Sequence, residues 1–303
     1  MPAPAIRAVG LTKYYGAVVG IENLSFEVER GEVYGFLGAN GAGKTTTMRL
    51  LLDLLRPTSG SAAVMGVDCH RRSLEARRFI GYLPGELPVY PDLTAAGYLD
   101  YLGRLGGATV SRAYLRELLD RFDVSGVDLD RRLRVQSHGM KQKIGIIQAL
   151  MAKAPVLILD EPTAGLDPLM VQAFRDTIAA LRKTGETTVF LSSHVLGEVE
   201  ATCGRIGLVR GGRMVATESL DALRQKSARV VRVSFRQPVN GYVPDVPGIT
   251  VRSRTDREWV IDAEGPLGPL VAALGTMPVH DVQVEGFRLE DYIAGFYGMD
   301  LRS

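Results

Sequence analysis

Positions 38 to 45 of the chain read Gly38-Ala39-Asn40-Gly41-Ala42-Gly43-Lys44-Thr45. This stretch fits the pattern GxxxxGK[ST], and it stands between the apolar run Val33–Leu37 and a helical pattern. Glycines let such a loop wrap a phosphate group with its backbone N–H groups, and the following helix presents its positive N-terminal end to the same anion. The stretch therefore predicts a phosphate-binding loop, in which Lys44 reaches the outer phosphates and the Thr45 hydroxyl holds magnesium.

Short runs rich in Val and Ile alternate with helical patterns on both sides of this loop, which predicts an α/β fold with a mostly parallel sheet. The clearest buried strands are Val33–Leu37, Val156–Leu159 and Thr187–Leu191. Ahead of them, Ile6–Leu11 and Leu24–Val28 alternate apolar and polar residues, as half-exposed antiparallel strands do. We therefore expect a phosphate-loop NTPase core with an antiparallel β subdomain.

The pattern changes between about residues 84 and 152, where apolar residues at three-and-four spacing predict helices over Thr94–Leu105 and Ser111–Phe122. We interpret this segment as a helical insertion in a main domain of residues 1–225, which a pair of strands around Gly211-Gly212 and a helix over Ser219–Gln225 complete. Residues 226–303 are expected to form a small α+β appendage with strands over 230–235, 249–252, 259–261 and 281–284 and helices over 266–274 and 289–297.

Two acids end the apolar run Val156-Leu157-Ile158-Leu159-Asp160-Glu161. In a parallel sheet the carboxyl end of a strand faces the ligand crevice, so both carboxylates are expected beside the phosphate-binding loop. Asp160 suits a place near magnesium, and Glu161 suits a base that polarises an attacking water.

Composition excludes several other classes of protein. The chain has 36 basic and 34 acidic residues, so it lacks the excess of Lys and Arg expected of a nucleic-acid binder. Cys69 and Cys203 show no zinc-site spacing. No secretion signal and no apolar run of about 18 residues is evident, and we therefore expect a cytoplasmic protein that binds no nucleic acid.

Further segments resemble the motifs of ATP-binding cassette (ABC) ATPases. Gln136-Ser137-His138-Gly139-Met140 resembles their signature motif, and Ala164-Gly165-Leu166-Asp167 resembles their D-loop. His194 matches the family's switch histidine, and Tyr15 falls where the family stacks an aromatic ring on adenine. The order and spacing of these elements match over about residues 5 to 225. A simple phosphate-loop kinase would leave Ser137 and Asp167 without a purpose.

The resemblance implies an ATPase that hydrolyses ATP with Mg²⁺ and acts as a dimer. Glu161 and His194 would be the catalytic residues, and Asp160 and Thr45 the magnesium ligands. ATP would be held by Tyr15 and by the loop residues Gly38, Ala39, Asn40, Gly41, Ala42, Gly43, Lys44, Thr45 and Thr46. Ser137 and Gly139 would contact the γ-phosphate bound by the opposite subunit, either a second copy or a paralogue. His138 replaces a glycine of the commonest signature, and its role is left open.

One motif departs from the family pattern in Ile80-Gly81-Tyr82-Leu83-Pro84-Gly85-Glu86-Leu87. Family members usually place a glutamine directly after the proline, where it contacts magnesium or the attacking water. Gly85 has no side chain for this role. Glu86 is the only local candidate, and simple exposure of Glu86 in a loop is an equally good interpretation.

The small C-terminal appendage resembles that of ATPases from ABC-2-type exporters, including drug-resistance types, and the stretch from Gly286 to Ile293 resembles the sequence that closes such chains. The resemblance implies a multi-span membrane permease as partner, docked near Gly85–Pro91, and hence a place on the inner face of the cell membrane. A soluble ABC-type ATPase with a non-transport partner is the alternative. It predicts a second cassette or a long coiled coil, and neither is visible in the sequence.

Overall fold

The buried strand β3 (Val33–Leu37) lies within the sheet that carries the phosphate-binding loop. The computed structural model describes residues 3–87, 90–106, 110–226, 229–239, 246–286 and 288–297. The other strands of this sheet are β6 (Ile80–Leu83), β7 (Val156–Asp160), β8 (Thr188–Ser193), β9 (Arg205–Arg210) and β10 (Arg213–Ser219). Their order is β10-β9-β3-β8-β7-β6, and the strands from β9 to β6 pair in parallel. The predicted parallel sheet is confirmed, and its carboxyl ends meet at one edge.

Helices follow the strands of this sheet, as in other α/β proteins. They are α1 (Lys44–Leu51), α2 (Ser73–Arg77), α6 (His138–Leu150), α7 (Pro168–Thr184) and α8 (Leu196–Thr202). Helix α7 begins at an N-cap, Asp167, whose carboxylate accepts the Met170 N–H (3.0 Å), and it ends at Gly185 in the left-handed conformation. These local signals fix the position of α7 on the D-loop sequence.

An antiparallel sheet packs against the central sheet. Its strands, in hydrogen-bonded order, are β2 (Val18–Val28), β1 (Ile6–Tyr15), β4 (Ser59–Val64) and β5 (Val67–Asp68). Phe26 of β2 lies 5.5 Å, centroid to centroid, from the rings of both Phe36 and Phe190. These aromatic contacts bury one face of β2 in the common core, so the antiparallel sheet is fixed beside the loop.

The segment predicted as a helical insertion contains α3 (Ala95–Leu105), α4 (Arg112–Arg121), α5 (Gly126–Asp130) and a 3₁₀ turn over Leu133–Val135. The hydroxyls of Thr94 and Ser111 cap the first two helices by accepting the N–H groups of Gly97 (3.1 Å) and Tyr114 (3.3 Å). Both helices therefore lie where the sequence predicted them.

The chain divides into two compact units, Met1–Thr217 and Glu218–Ser303. The second unit contains α9 (Leu220–Lys226), α10 (Gly268–Leu274) and α11 (Leu289–Tyr297), and the strands β11 (Arg229–Phe235), β12 (Ile249–Arg254), β13 (Glu258–Ala263) and β14 (Val279–Glu285). The strands form an antiparallel sheet of order β12-β13-β11-β14, whose core includes Trp259 packed edge-on to Phe235 (4.7 Å). The division falls between Thr217 and Glu218, so α9, expected in the main domain, belongs to this second unit.

Within the described ranges, no helix combines the length and apolar character that crossing a bilayer requires.

Candidate active site

The phosphate-binding loop joins β3 to α1 in a conformation that only glycine tolerates at several positions. A β-carbon on Gly38 would lie 2.5 Å from the Val209 carbonyl oxygen. Gly43 has a φ of 107°, and a β-carbon there would lie 2.5 Å from Cγ2 of Ile21. The spacing of glycines in the motif therefore reflects both the left-handed backbone and the close approach of neighbouring strands. The predicted strand–loop–helix context of the motif is present.

Lys44 is a buried cation, with 6% of its surface exposed. Its Nζ atom donates a hydrogen bond to the Gly38 carbonyl oxygen (2.7 Å) and lies 3.6 Å from Oε1 of Glu161. The backbone of its own loop and a carboxylate thus compensate the desolvation of the ammonium group. This places the Lys44 charge at the centre of the loop, as predicted for a residue that contacts phosphates.

Thr45 and Asp160 meet directly at the edge of the sheet. The Thr45 hydroxyl donates to Oδ2 of Asp160 (2.7 Å), and the Ser192 hydroxyl donates to Oδ1 (2.6 Å). Burial, with the negative charge of Asp160 as the next cause, raises the pKa of Tyr82 to about 12, so Tyr82 remains a neutral neighbour. The carboxylate of Asp160 is therefore held in one orientation, with the Thr45 oxygen beside it.

Glu161 and His194 form a second pair of groups at the same edge. Oε2 of Glu161 lies 2.7 Å from Nδ1 of His194 and accepts the His194 backbone N–H (3.3 Å). Glu161 has a φ of 50°, in the left-handed region that costs a non-glycine residue about 1–2 kcal/mol. Its backbone N–H donates to Oγ of Ser192 (3.0 Å). Such a backbone held by surrounding contacts is typical of residues with a functional role.

A cavity of about 280 Å³ lies over the loop and the two acids, Asp160 and Glu161, and His194 is not among its lining residues. Val18, Val19 and Gly20 of β2 line it together with predicted site residues, namely Tyr15, Ala39, Asn40, Gly41, Gly43, Lys44, Thr45, Thr46, Asp160 and Glu161. Tyr15 is 45% exposed, and its hydroxyl lies 3.4 Å from Oγ1 of Thr46. The cavity thus offers an aromatic and aliphatic wall near a loop that suits phosphates, as a nucleotide requires.

The signature turn is exposed and lies apart from this set of groups. Ser137 caps α6 by accepting the Met140 N–H (3.2 Å). Among the described residues that line the cavity, none comes from the turn of Ser137, His138 and Gly139 or from Asp167. One chain therefore brings together the loop and the two acids but leaves the signature turn outside the cavity.

The signature turn instead contacts the D-loop of its own chain. A β-carbon on Gly139 would lie 2.9 Å from the Gly165 carbonyl oxygen, and one on Gly165 would lie 2.3 Å from Cδ2 of His138. The imidazole of His138, the residue whose role the sequence left open, thus covers Gly165.

Gly85 lies beside Asp160. A β-carbon at Gly85 would be 3.4 Å from Oδ2 of Asp160, an ordinary van der Waals contact. Glu86 is exposed. The segment expected to dock a permease helix, Gly85–Pro91, includes residues 88 and 89, which are outside the described ranges.

Sequence reasoning missed Ser192 and Gln142. The side-chain amide of Gln142 donates to the carbonyl oxygens of Glu161 (3.3 Å) and Pro162 (2.9 Å), which ties α6 to the end of β7. Ser192 stands opposite Asp160 in the β7–β8 register, and this pairing was the signal that could have identified it.

Replacement of Ser192 by alanine is expected to weaken both the fold and the site. The change leaves the buried Oδ1 of Asp160 and the Glu161 N–H without a hydroxyl partner, which costs about 1–3 kcal/mol of unfolding free energy. We expect a lower urea midpoint and slower ATP hydrolysis. Ser193→Ala is the control. Ser193 is the next residue of β8, and its hydroxyl accepts the N–H of Val195 (3.0 Å). Equal effects of the two changes would remove the special role of Ser192.

Comparison with known proteins gives consistent matches. The family described as ABC transporter matches residues 21–164. The "Uncharacterized ABC transporter ATP-binding protein YcbN" of Bacillus subtilis (strain 168) is 37% identical over 229 residues, which are 75% of this chain and 74% of that protein. The "Bacitracin transport ATP-binding protein BcrA" of Bacillus licheniformis is 36% identical over 227 residues, 74% of this chain and 72% of that one.

A solved structure described as the ATP binding subunit of an ABC transporter superposes with a TM-score of 0.66 at 30% identity. The match covers 73% of this chain and 92% of that one. The match to this subunit agrees with the α/β fold, in which a parallel sheet carries the phosphate-binding loop.

Proposed function

The chain belongs to the ABC transporter family. We therefore propose that it is the ATP-hydrolysing subunit of an ABC-2-type exporter. It is an ATP-binding subunit and an ATPase. The observation that carries the assignment of the site is the convergence of Lys44, Thr45, Asp160 and Glu161 on one cavity. We assign nucleotide binding to the first unit, Met1–Thr217, and no role to the second, Glu218–Ser303.

The reaction is phosphoryl transfer to water, in which the protein supplies position and charge. When nucleotide binds, Lys44 contacts the outer phosphates and exchanges for them its contacts with the Gly38 carbonyl and the Glu161 carboxylate. Glu161 accepts a proton from the attacking water. His194 orients the Glu161 carboxylate through the 2.7 Å contact of its Nδ1 atom.

The oxygens of Thr45 and Asp160 fit Mg²⁺, which prefers hard oxygen ligands and is commonly bound by one or two carboxylates plus the phosphates of the nucleotide. The Thr45 hydroxyl and Asp160 carboxylate already touch (2.7 Å), so both can face one ion. When bound, Mg²⁺ neutralises charge that develops on the phosphates. Ser192 keeps the second oxygen of Asp160 fixed throughout.

A dimer completes the site. The turn of Ser137 and Gly139, in which Ser137 is exposed, lies outside the cavity of its own chain, and the family resemblance assigns it a contact with the γ-phosphate of the opposite subunit. Two ATP molecules would then lie between two chains, each held by the loop of one and the signature turn of the other. The second chain is a copy or a paralogue.

An exporter is favoured over a soluble machine because the relatives are named as transport proteins. BcrA is a bacitracin transport ATP-binding protein, and LnrL of Bacillus subtilis (strain 168), 37% identical over 213 residues, is a linearmycin resistance ATP-binding protein. We propose a multi-span membrane permease as partner and a place at the inner face of the cell membrane. Co-expression with a candidate multi-span membrane protein should yield a membrane complex whose ATPase rate depends on both.

Complementation tests the dimer directly. Lys44→Ala removes the phosphate contact of one site, and Ser137→Ala removes the contact made across the interface. Each variant alone is expected to be nearly inactive. An equimolar mixture should regain activity up to about a quarter of the wild-type ATPase rate, the limit for independent sites, because half of the randomly formed dimers contain one intact site out of two.

The control is a mixture of Lys44→Ala with Glu161→Gln. Lys44 and Glu161 belong to the same half of a site, the half that contains the phosphate-binding loop. Each chain of a mixed dimer therefore has one defective half of this kind, and no site is intact. This mixture should stay inactive. Failure of the Lys44→Ala and Ser137→Ala mixture to exceed this control would contradict the shared site.

A further inference from the structure

Three glycines from separate segments meet at the phosphate-binding loop. Gly20 of β2, Gly43 of the loop and Gly212 of the β9–β10 turn meet there, and no side chain would fit between them. A β-carbon on Gly43 would lie 2.9 Å from the Gly20 carbonyl oxygen, and one on Gly212 would lie 3.0 Å from the same oxygen. Gly212, like Gly43, has a left-handed backbone, with a φ of 77°. The β9–β10 turn thus packs directly against the loop at Gly43.

Hydrogen bonds of Gly212 connect the loop to the antiparallel sheet. The Gly212 N–H donates to the carbonyl oxygen of Ala42 (3.1 Å), and the Gly212 carbonyl oxygen accepts the N–H of Glu22 (2.8 Å). The Ala42 carbonyl belongs to the peptide unit whose N–H is that of Gly43. The position of Gly212 therefore bears on the orientation of an N–H group within the phosphate-binding loop.

An ion pair holds this turn in place. Nη2 and Nε of Arg213 donate to Oε2 of Glu22 (2.6 and 3.0 Å), and the Tyr14 hydroxyl donates to Oε1 (2.9 Å). The hydrogen bond from Arg213, and then that from Tyr14, lowers the pKa of Glu22. Glu22 therefore stays ionised at neutral pH, and both of its oxygens have partners.

We propose that Glu22 and Arg213 are positioning residues for the phosphate-binding loop, because their ion pair keeps the Gly212 peptide against Ala42. The proposal rests on the assignment of this loop as the ATP site. Neither side chain lines the cavity, so both act through Gly212. Since the loop contacts phosphates in the ground state and the transition state alike, a displaced loop should raise the KM for ATP and leave kcat little changed.

Charge reversal at each residue tests the pair. Arg213→Glu and Glu22→Arg each place like charges opposite one another, and each is expected to raise the KM for ATP about 10-fold with kcat within about twofold. The Kd for Mg-ADP, titrated into the full-length chain, should rise in parallel. The double variant restores an opposite-charge pair and should return both constants to within about threefold of wild type.

The signs of the two single effects separate positioning from a long-range field. A field acting on the anionic nucleotide would make Arg213→Glu weaken binding and Glu22→Arg strengthen it. Weakening by both is the positioning result. Opposite signs, or a double variant no better than the singles, would overturn the proposal.

Arg7→Glu is the matched control, because Arg7 forms an exposed ion pair with Glu27 (3.0 Å) across β1 and β2 of the same sheet. Its KM should match wild type. A rise equal to that of Arg213→Glu would show general loosening of the sheet and would also overturn the proposal. A wild-type chain that neither binds Mg-ADP nor hydrolyses ATP would instead contradict the proposed function itself.

Discussion

Glu161→Gln is expected to lower the rate of ATP hydrolysis about 10²- to 10⁴-fold while ATP binding is retained. The amide keeps the size of the side chain and can still accept the hydrogen bonds from His194, but it cannot take a proton from water. Because the ATP bound in a closed dimer is then hydrolysed very slowly, the variant should accumulate as a dimer. Phosphate release measures the rate, and size-exclusion chromatography with Mg-ATP measures the dimer.

Glu186→Gln is the control for this experiment, since Glu186 is exposed after α7 and outside the cavity. It should behave as wild type in both measurements. Wild-type turnover by Glu161→Gln would remove Glu161 from the role of base. A variant that binds ATP but stays monomeric, also beside its permease, would contradict the dimeric site.

Lys44→Ala is expected to weaken ATP binding at least about 100-fold, which corresponds to about 2.8 kcal/mol. The change removes the buried cation next to the phosphates and leaves the Glu161 carboxylate without the charge 3.6 Å away. Charge-assisted hydrogen bonds to phosphate are among the stronger contacts a protein can offer, so this loss should exceed that of any other single loop side chain. Calorimetric titration with Mg-ADP measures it.

Lys183→Ala provides the comparison, because Lys183 is an exposed residue in the last turn of α7. Its nucleotide affinity should equal that of wild type. Thermal unfolding of both variants shows whether the fold is intact. An affinity of Lys44→Ala within about threefold of wild type would exclude a direct phosphate contact by Lys44.

The strands that were predicted best are those whose composition and burial agree. Val33–Leu37 and Val156–Asp160 are buried along their whole length, and short apolar runs predicted strands over Val33–Leu37 and Val156–Leu159. Apolar residues at three-and-four spacing likewise predicted α3 and α4, which the structure shows capped by Thr94 and Ser111. Where local sequence and tertiary context favour the same structure, the sequence alone was sufficient.

Strand β4, Ser59–Val64, was missed for the opposite reason. Its residues, Ser-Gly-Ser-Ala-Ala-Val, have weak β propensity, and the first two belong to Arg-Pro-Thr-Ser-Gly, a sequence typical of a turn. The segment is a strand because it pairs with β1, as in the register of Ala8 with Ala62. Strand β6, Ile80–Leu83, was treated only as part of a motif, and its pairing with β7 made it a strand.

The site shows the same division. The loop, Asp160 and Glu161 could be predicted because their function requires a fixed order of residue types along the chain. Ser192 has no such pattern, since Ser192 and Ser193 are adjacent and equally plausible from sequence. Only the alignment of β8 with β7 determines that Ser192 faces Asp160. Contacts between distant segments, such as Gln142 with the Glu161 carbonyl, likewise require the structure.

The first two turns of α6 connect the signature turn of Ser137, His138 and Gly139 to the segment that carries Glu161. The imidazole of His138 covers Gly165. The side-chain amide of Gln142 donates to the carbonyl oxygens of Glu161 and Pro162. In the proposed dimer, where Ser137 contacts the triphosphate of the opposite subunit, we therefore expect ATP bound at one site to affect the position of Glu161 at the other. Initial velocity should consequently rise sigmoidally with ATP concentration, with a Hill coefficient above one.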